Sequence, residues 1–533
     1  MPVIRRRAVR VTAVLSAFLS VSACTEAVRG HGTPAASPSS VSSPTASSPA
    51  ATPSAAASPG SIGFNDCSRA LNVAGSGIPS ERLDRLSFDC GKLQVPLDYD
   101  RPDGETITVE VLRVHSREQV KRIGSLLVDP GGPGGSGIVL AVNLAGGLSD
   151  TMLSSFDLIG FDPRGVGLST PIRCTSDADE DRLLALDPDV RTAAGFAEAK
   201  QATATVAQAC TAKYRSALEH YNTVETARDM DRIRDAVGDD KMNYLGFSYG
   251  TQLGAVYAHL FPARIRAMVL DGAVDPTTTG DAIRANDQQI KGFEQAFDQF
   301  AAHCAARPAC AALGQPRAAV QALRARANAA PIGSSRSGET RKATGGIVLY
   351  AVLSALYSER EWPALDAALL DARRGNAKEL FELVDNYSNR STDGSFANLL
   401  DVFLVVTCND QPTDPADAVI KATAQRWATQ YPLFGLWSAT SLFQCQSWQK
   451  SRHPVPVPTA AGSPPILVVG NLHDPATPYS GAVNLTRALT TGVLLTWDGQ
   501  GHTSYGQSRC IDNAVDDYLL EQNIPAANTT CPR

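Results

Sequence analysis

Four short, largely apolar runs recur in the first half of the chain: Gly124-Ser-Leu-Leu-Val-Asp-Pro130, Phe156-Asp-Leu-Ile-Gly-Phe-Asp-Pro-Arg-Gly165 with its exit turn, the start of Lys241-Met-Asn-Tyr-Leu-Gly-Phe-Ser-Tyr-Gly-Thr251, and Arg266-Ala-Met-Val-Leu-Asp271. Runs of this length, each closing on a turn signal, mark strands buried on both faces of a parallel sheet. Ahead of them, Lys92 to Asp98 and Glu105 to Arg113 alternate with period two on either side of Asp103-Gly104, the pattern of an antiparallel hairpin. Helical patterns lie between the runs. Ala193 to Tyr214 is alanine-rich, and Val224 to Val237 carries apolar residues at helical spacing and stops at Gly238. The breaker Phe261-Pro262 leads into the run ending at Asp271. Strands alternating with helices predict a doubly wound α/β sheet.

After Asp275-Pro276 the rhythm changes. Asp287 to Ala302, Gly346 to Tyr357 and Phe396 to Cys408 read as helices, and strand character returns only with Pro465 to Asp474 and Val493 to His502. The expected organisation is a core in two parts, 63–276 and 463–533, interrupted by a helical lid over 277–462. A chain of 533 residues with 43% hydrophobic composition supports one large domain with such an insertion. A net charge of −6, spread without blocks of one sign, argues against a nucleic-acid surface.

Residues 1–24 have the form of an export signal: Arg5, Arg6, Arg7 and Arg10, then an apolar stretch from Val11 to Val21, then Ser22-Ala23-Cys24. The apolar stretch is too short to span a bilayer. Val21-Ser-Ala-Cys24 resembles the lipobox of bacterial lipoproteins, which makes Cys24 a lipidation site and the membrane or cell envelope a partner, unless the site is a plain cleavage signal. Arg6-Arg7 leaves a twin-arginine export route open beside the general one. Residues 25–62 are almost all Ala, Ser, Pro, Thr and Gly, too poor in apolar surface to fold, and read as a tether.

Ten cysteines follow Cys24, an even number, which in an exported chain favours disulfides. Neighbour pairing would join Cys67 with Cys90, Cys174 with Cys210, Cys304 with Cys310, Cys408 with Cys445 and Cys510 with Cys531, although spacing alone does not fix connectivity. No Cys-x-x-Cys spacing suggests a metal, and no cofactor is expected.

Gly246-Phe-Ser-Tyr-Gly250 stands between a strand and a helix and fits the elbow that projects a nucleophilic serine, here Ser248. Five residues with three fixed are a weak signal alone. The run ending at Asp129 empties into Gly131-Gly-Pro-Gly-Gly-Ser-Gly137. Pro133 lacks an N–H and the spacing does not suit a dinucleotide, so the loop reads as an oxyanion loop with Gly132 as one donor and the N–H of Tyr249 as the other. A serine hydroxyl needs an imidazole to take its proton and a carboxylate to orient that imidazole. Asp474 and His502 each follow a returning strand, in the order acid then histidine. Asp498 is the substitute acid, and His473 the neighbouring histidine expected at the surface.

Pro96-Leu-Asp-Tyr-Asp100, Asp129 to Gly137, Asp162-Pro-Arg-Gly-Val-Gly-Leu-Ser169, Gly246 to Gly250, Asp271-Gly-Ala-Val-Asp275, Asp474-Pro-Ala-Thr-Pro478 and Gly501-His502 together resemble the secreted actinobacterial tripeptidyl aminopeptidases, serine peptidases in the proline-iminopeptidase branch of α/β hydrolases. The likeness runs from about Cys90 to Cys531. It implies an α/β-hydrolase fold, a Ser248, Asp474, His502 triad, and peptide or protein N-termini as substrates. Pro130 replaces the histidine of the His-Gly-Gly-Pro-Gly loop of proline iminopeptidases, so no role of that histidine carries over. Thr477 falls where it could brace the acid loop, although a threonine there also serves as an ordinary turn cap. A terminal ammonium would need an acid in the lid, with Asp410, Glu359 and Glu361 in view, although helix caps and solvated acids look the same in sequence. A carboxylesterase or lipase acting on envelope or exogenous esters is the second reading, because the same triad cleaves esters. A catalytically silent envelope protein on the same fold is the third.

Overall fold

The computed structural model describes residues 60–119, 121–411, 414–449 and 454–533. The export signal, Cys24 and nearly all of the tether lie outside the described residues. Ile62, assigned to the tether by composition, is buried against Gly91. Among the described residues no helix is long and apolar enough to cross a membrane.

Ten strands form one sheet: β1 (Asn65–Asp66), β2 (Leu86–Pro96), β3 (Thr106–Ser116), β4 (Gly124–Asp129), β5 (Phe156–Phe161), β6 (Met242–Phe247), β7 (Ile265–Asp271), β8 (Ile466–His473), β9 (Gly492–Gln500) and β10 (Thr529–Cys531). Their spatial order is β1-β2-β3-β5-β4-β6-β7-β8-β9-β10. The first three strands pair antiparallel, as does β3 with β5, and every pairing from β5 onward is parallel. The hairpin expected around Asp103-Gly104 is β2 with β3, longer at both outer ends than the alternation suggests.

All six residues of β4, of β5 and of β6 are buried, which accounts for their largely apolar sequences; among their polar residues, Asp129, Asp157 and Asn243 are each hydrogen-bonded. Leu127, Tyr244, Met268 and Val468 face one helical layer, while Val128, Leu245, Val269 and Leu467 face the other. Cutting one of these fully buried leucines to alanine would cost about 2–5 kcal/mol. Among the described residues between β7 and β8 the elements are helical, beginning with the short turn Pro276–Thr278 and the helix Ala282–Ala305; most of them share an apolar cluster that includes Phe297, Val348, Phe381 and Trp427, while the helix Leu399–Asp410 packs beside the sheet.

Two polar devices fix the loops around the site. Arg164, wholly buried, donates twice to Asp229 at 2.7 Å and once each to the carbonyls of Leu97 and His220. Removing it would strand the Asp229 carboxylate, a loss of about 3–5 kcal/mol. Asp162 accepts the Ser136 hydroxyl and the Leu168 N–H, tying the glycine loop to the turn after β5. Five disulfides join Cys67–Cys90, Cys174–Cys210, Cys304–Cys310, Cys408–Cys445 and Cys510–Cys531, each cysteine with its neighbour in the sequence.

Candidate active site

Four consecutive strands, β6 to β9, run parallel and deliver their carboxyl ends to one rim. Ser248 follows β6, Asp474 follows β8 and His502 lies two residues beyond β9. Ser248 sits at φ 55°, ψ −124°, a strained turn directly ahead of the helix Tyr249–Leu260. Its N–H donates to the Asp271 carbonyl at 2.9 Å, pinning the turn to β7. A side chain on Gly250 would strike the carbonyl and carboxylate oxygens of Asp129 at 2.8 Å, so the elbow closes only on glycine.

The Asp474 side chain is fully buried, and both its oxygens lie 2.9 Å from His502 Nδ1. Oδ1 also accepts the N–H groups of Ala476 and Thr477, and Oδ2 accepts the Thr477 hydroxyl and the Thr503 N–H. The carboxylate is thereby held by the loop on which Thr477 sits. Burial pushes the His502 imidazolium down, but the Asp474 charge and hydrogen bond, aided by Asp271, outweigh burial and raise it above the ordinary histidine value.

The histidine is gripped from the helical side as well. His502 N–H donates to the Tyr357 carbonyl at 2.8 Å, Ser358 bridges to Gly501, and the Tyr357 ring meets the imidazole edge-on at 5.4 Å. Tyr357 ends the helix Gly345–Leu356, and nothing in its sequence marks it as a neighbour of the site.

The glycine loop packs directly on the elbow. A Cβ on Gly131 would lie 3.0 Å from Ser248 Cβ and 2.8 Å from Tyr249 N. The Gly131 N–H is already taken by Asp129 Oδ1 at 2.8 Å. Among the described residues, neither the Gly132 N–H nor the Tyr249 N–H has a protein acceptor. Asp129 itself is buried and pushed up to about 7 by desolvation.

Several sequence candidates take other places. The Asp410 carboxylate accepts the Thr223 N–H and hydroxyl and the Gln252 amide, and Thr223 in turn bonds the Tyr249 hydroxyl. Asp410 thus braces the residue after Ser248 from beneath, and burial pushes it up to about 7. Glu359, directly after Ser358, forms an ion pair with Arg533. Glu361 closes the same short turn. His473 is exposed and lies 3.6 Å from an equally exposed Asp498, so Asp498 is not the acid that meets His502. The one tight cluster of possible metal ligands among the described residues is Cys304, Cys310 and Asp366, and its two sulfurs are joined in a disulfide.

Fold and rim together define a serine hydrolase, and the chain belongs to the alpha/beta hydrolase fold family, which it matches over residues 124–506. It is similar to serine protease Hip1 of Mycobacterium tuberculosis, at 38% identity over 459 residues covering 83% of this chain and 87% of that one. Carboxylesterase B of the same organism is 36% identical, covering 83% and 86%. The tripeptidyl aminopeptidase of Streptomyces lividans is 34% identical, covering 83% of each chain.

Proposed function

We propose that this serine hydrolase is an exported aminopeptidase that releases short peptides, tripeptides foremost, from free N-termini through an acyl-enzyme on Ser248. The observation that carries the reading is the doubly bonded Asp474–His502 pair at the rim that also bears the strained Ser248 turn. In this reading Ser248 Oγ attacks the scissile carbonyl and its proton passes to His502 Nε2. Asp474 orients the ring and balances the imidazolium. The unpaired N–H groups of Gly132 and Tyr249 hold the oxyanion. His502 then protonates the departing amine, and water cleaves the ester by the same steps in reverse order. The names of two relatives, a serine protease and a tripeptidyl aminopeptidase, support the peptidase assignment.

Esterase action is the second reading, favoured by the relative named carboxylesterase B. A fluorophosphonate probe tests both: intact protein that fails to label at Ser248 is not a serine hydrolase of this design. Rates on a free-amine tripeptide anilide, its N-acetylated twin and a short acyl ester then separate them. Equal rates with and without acetylation would remove the aminopeptidase assignment.

Residues 1–24 and Cys24 complete the proposal, as an export signal and a lipid anchor to the outer face of the cytoplasmic membrane or envelope, with 25–62 as spacer. The lipobox-like Val21-Ser-Ala-Cys24 and five disulfides, which persist in oxidising compartments, support it.

A further inference from the structure

Four successive backbone N–H groups in the histidine loop are captured by groups outside it. His502 donates to the Tyr357 carbonyl, Thr503 to Asp474 Oδ2 at 3.2 Å, Ser504 to Asp271 Oδ2 at 2.9 Å and Tyr505 to the same oxygen at 2.7 Å. Thr503, a β-branched residue, stands at φ 64°. A conformation so costly persists only where the surroundings over-determine it, and the two carboxylates on either side of Thr503 do so.

Asp271 has no exposed surface and ends β7, the strand between the elbow strand and the one that carries Asp474. Its backbone carbonyl receives the Ser248 N–H, while its carboxylate receives Ser504 and Tyr505. The residue after it, Gly272, leaves room for the imidazole: a Cβ there would lie 3.3 Å from His502 Cε1. One residue therefore grips both the turn that bears the hydroxyl and the loop that bears the imidazole.

From this geometry we infer that Asp271 is a positioning residue for the reaction, setting the placement of His502 against Ser248 and adding a second buried negative charge beside the imidazolium. The charged and titratable groups facing His502 are Asp474 from the β8 loop, Asp271 from β7 and, edge-on, Tyr357 from the helical segment. Asp474 and His502 also face Asp271; burial pushes its carboxyl up to about 6, while the Tyr505 and Ser504 N–H groups favour the charged form.

The inference rests on His502 acting as the base. Fluorophosphonate labelling of the unaltered enzyme tests that reading separately, since its loss would sink the base assignment whatever Asp271 does. For Asp271 itself the experiment is D271N together with D271S, the latter avoiding an amide NH2 set against two N–H donors. A misplacement of about 1 Å in a reacting group can cost on the order of 100-fold in rate. The expected result is therefore a fall in kcat of that order, KM within about threefold, and an acid limb of the kcat/KM profile displaced to lower pH, because the imidazolium loses one of its two carboxylates. A merely structural role would lower the melting temperature and leave the acid limb where it was; that outcome overturns the inference. So does failure of both variants to fold, which would assign Asp271 to stability alone.

Discussion

Asp474 holds His502 symmetrically, with both carboxylate oxygens 2.9 Å from Nδ1. The Nδ1 proton is thereby committed to the acid, and Nε2 is left with the lone pair that can accept from a hydroxyl. Substituting D474N removes the charge and lets the ring adopt the other tautomer. Steady-state kinetics on an otherwise folded protein should show kcat lowered by about 10^4-fold. A loss below tenfold would mean another group orients the ring.

The acid limb of the rate profile should report the imidazole. In the proposed mechanism neutral His502 is the active form; its Asp474 and Asp271 partners outweigh the opposing effect of burial and raise it above the ordinary value. The kcat/KM profile should accordingly fall off on the acid side above about pH 6.5. Residual D474N activity should show the limb displaced downward.

Gly132 stands at φ 111°, and a Cβ there would meet the N atoms of Gly134 and Gly135 at 3.0 and 3.1 Å. G132A must shift the loop and with it the unpaired N–H. Losing one oxyanion donor costs about 10^2–10^3-fold in kcat. KM should change little, and titration with a fluorophosphonate would confirm that Ser248 is still presented.

Asp129 titrates near 7 in the fold, raised by burial, against a carboxylate's ordinary value near 4. A folded state that binds the proton more tightly than the unfolded chain is favoured at low pH and loses that advantage as pH rises from about 4 to about 7. D129N keeps an oxygen for the Gly131 N–H and abolishes the titration. Melting temperatures at pH 5 and pH 8 should differ less in D129N than in the parent.

The Cys408–Cys445 bridge closes a separation of 37 residues inside the helical segment, close to the turn where Asp410 braces Thr223. Loop entropy assigns such a bridge about 3–4 kcal/mol. C408S with C445S should melt lower than the parent when both are heated without reductant, which would open the other four bridges as well.

Cys24 gives a prediction of location. C24A should move the protein from the membrane fraction to the medium in an exporting host, with activity per mole unchanged. Continued membrane retention would remove the anchor assignment.

The sheet was legible because β4, β5 and β6 are buried on both sides and their sequences are mostly apolar. Ser248, Asp474 and His502 were legible because each stands at the end of such a strand with a turn signal beside it. What stayed hidden depends on tertiary approach. Tyr357 ends a helix in the insertion, and its use as a backbone acceptor for His502 leaves no trace in residue type. Asp271 could have been noticed as a carboxylate closing an otherwise apolar run, a position where an acid is tolerated only with partners. Asp410 has the place of a lid acid suited to an ammonium, but its oxygens are occupied by Thr223 and Gln252, 187 and 158 residues away in the chain, pairings that no local pattern encodes.

The carbonyl of Tyr357 belongs to the helical segment, and the backbone N–H of His502 donates to it. Excising 277–462 would remove that acceptor together with the helix Leu399–Asp410, which packs in the core beside the sheet, so the shortened chain should be inert even with Ser248, Asp474 and His502 intact. The backbone position of His502 is thus set from outside the sheet, by the segment that ends at Tyr357, as well as from within it.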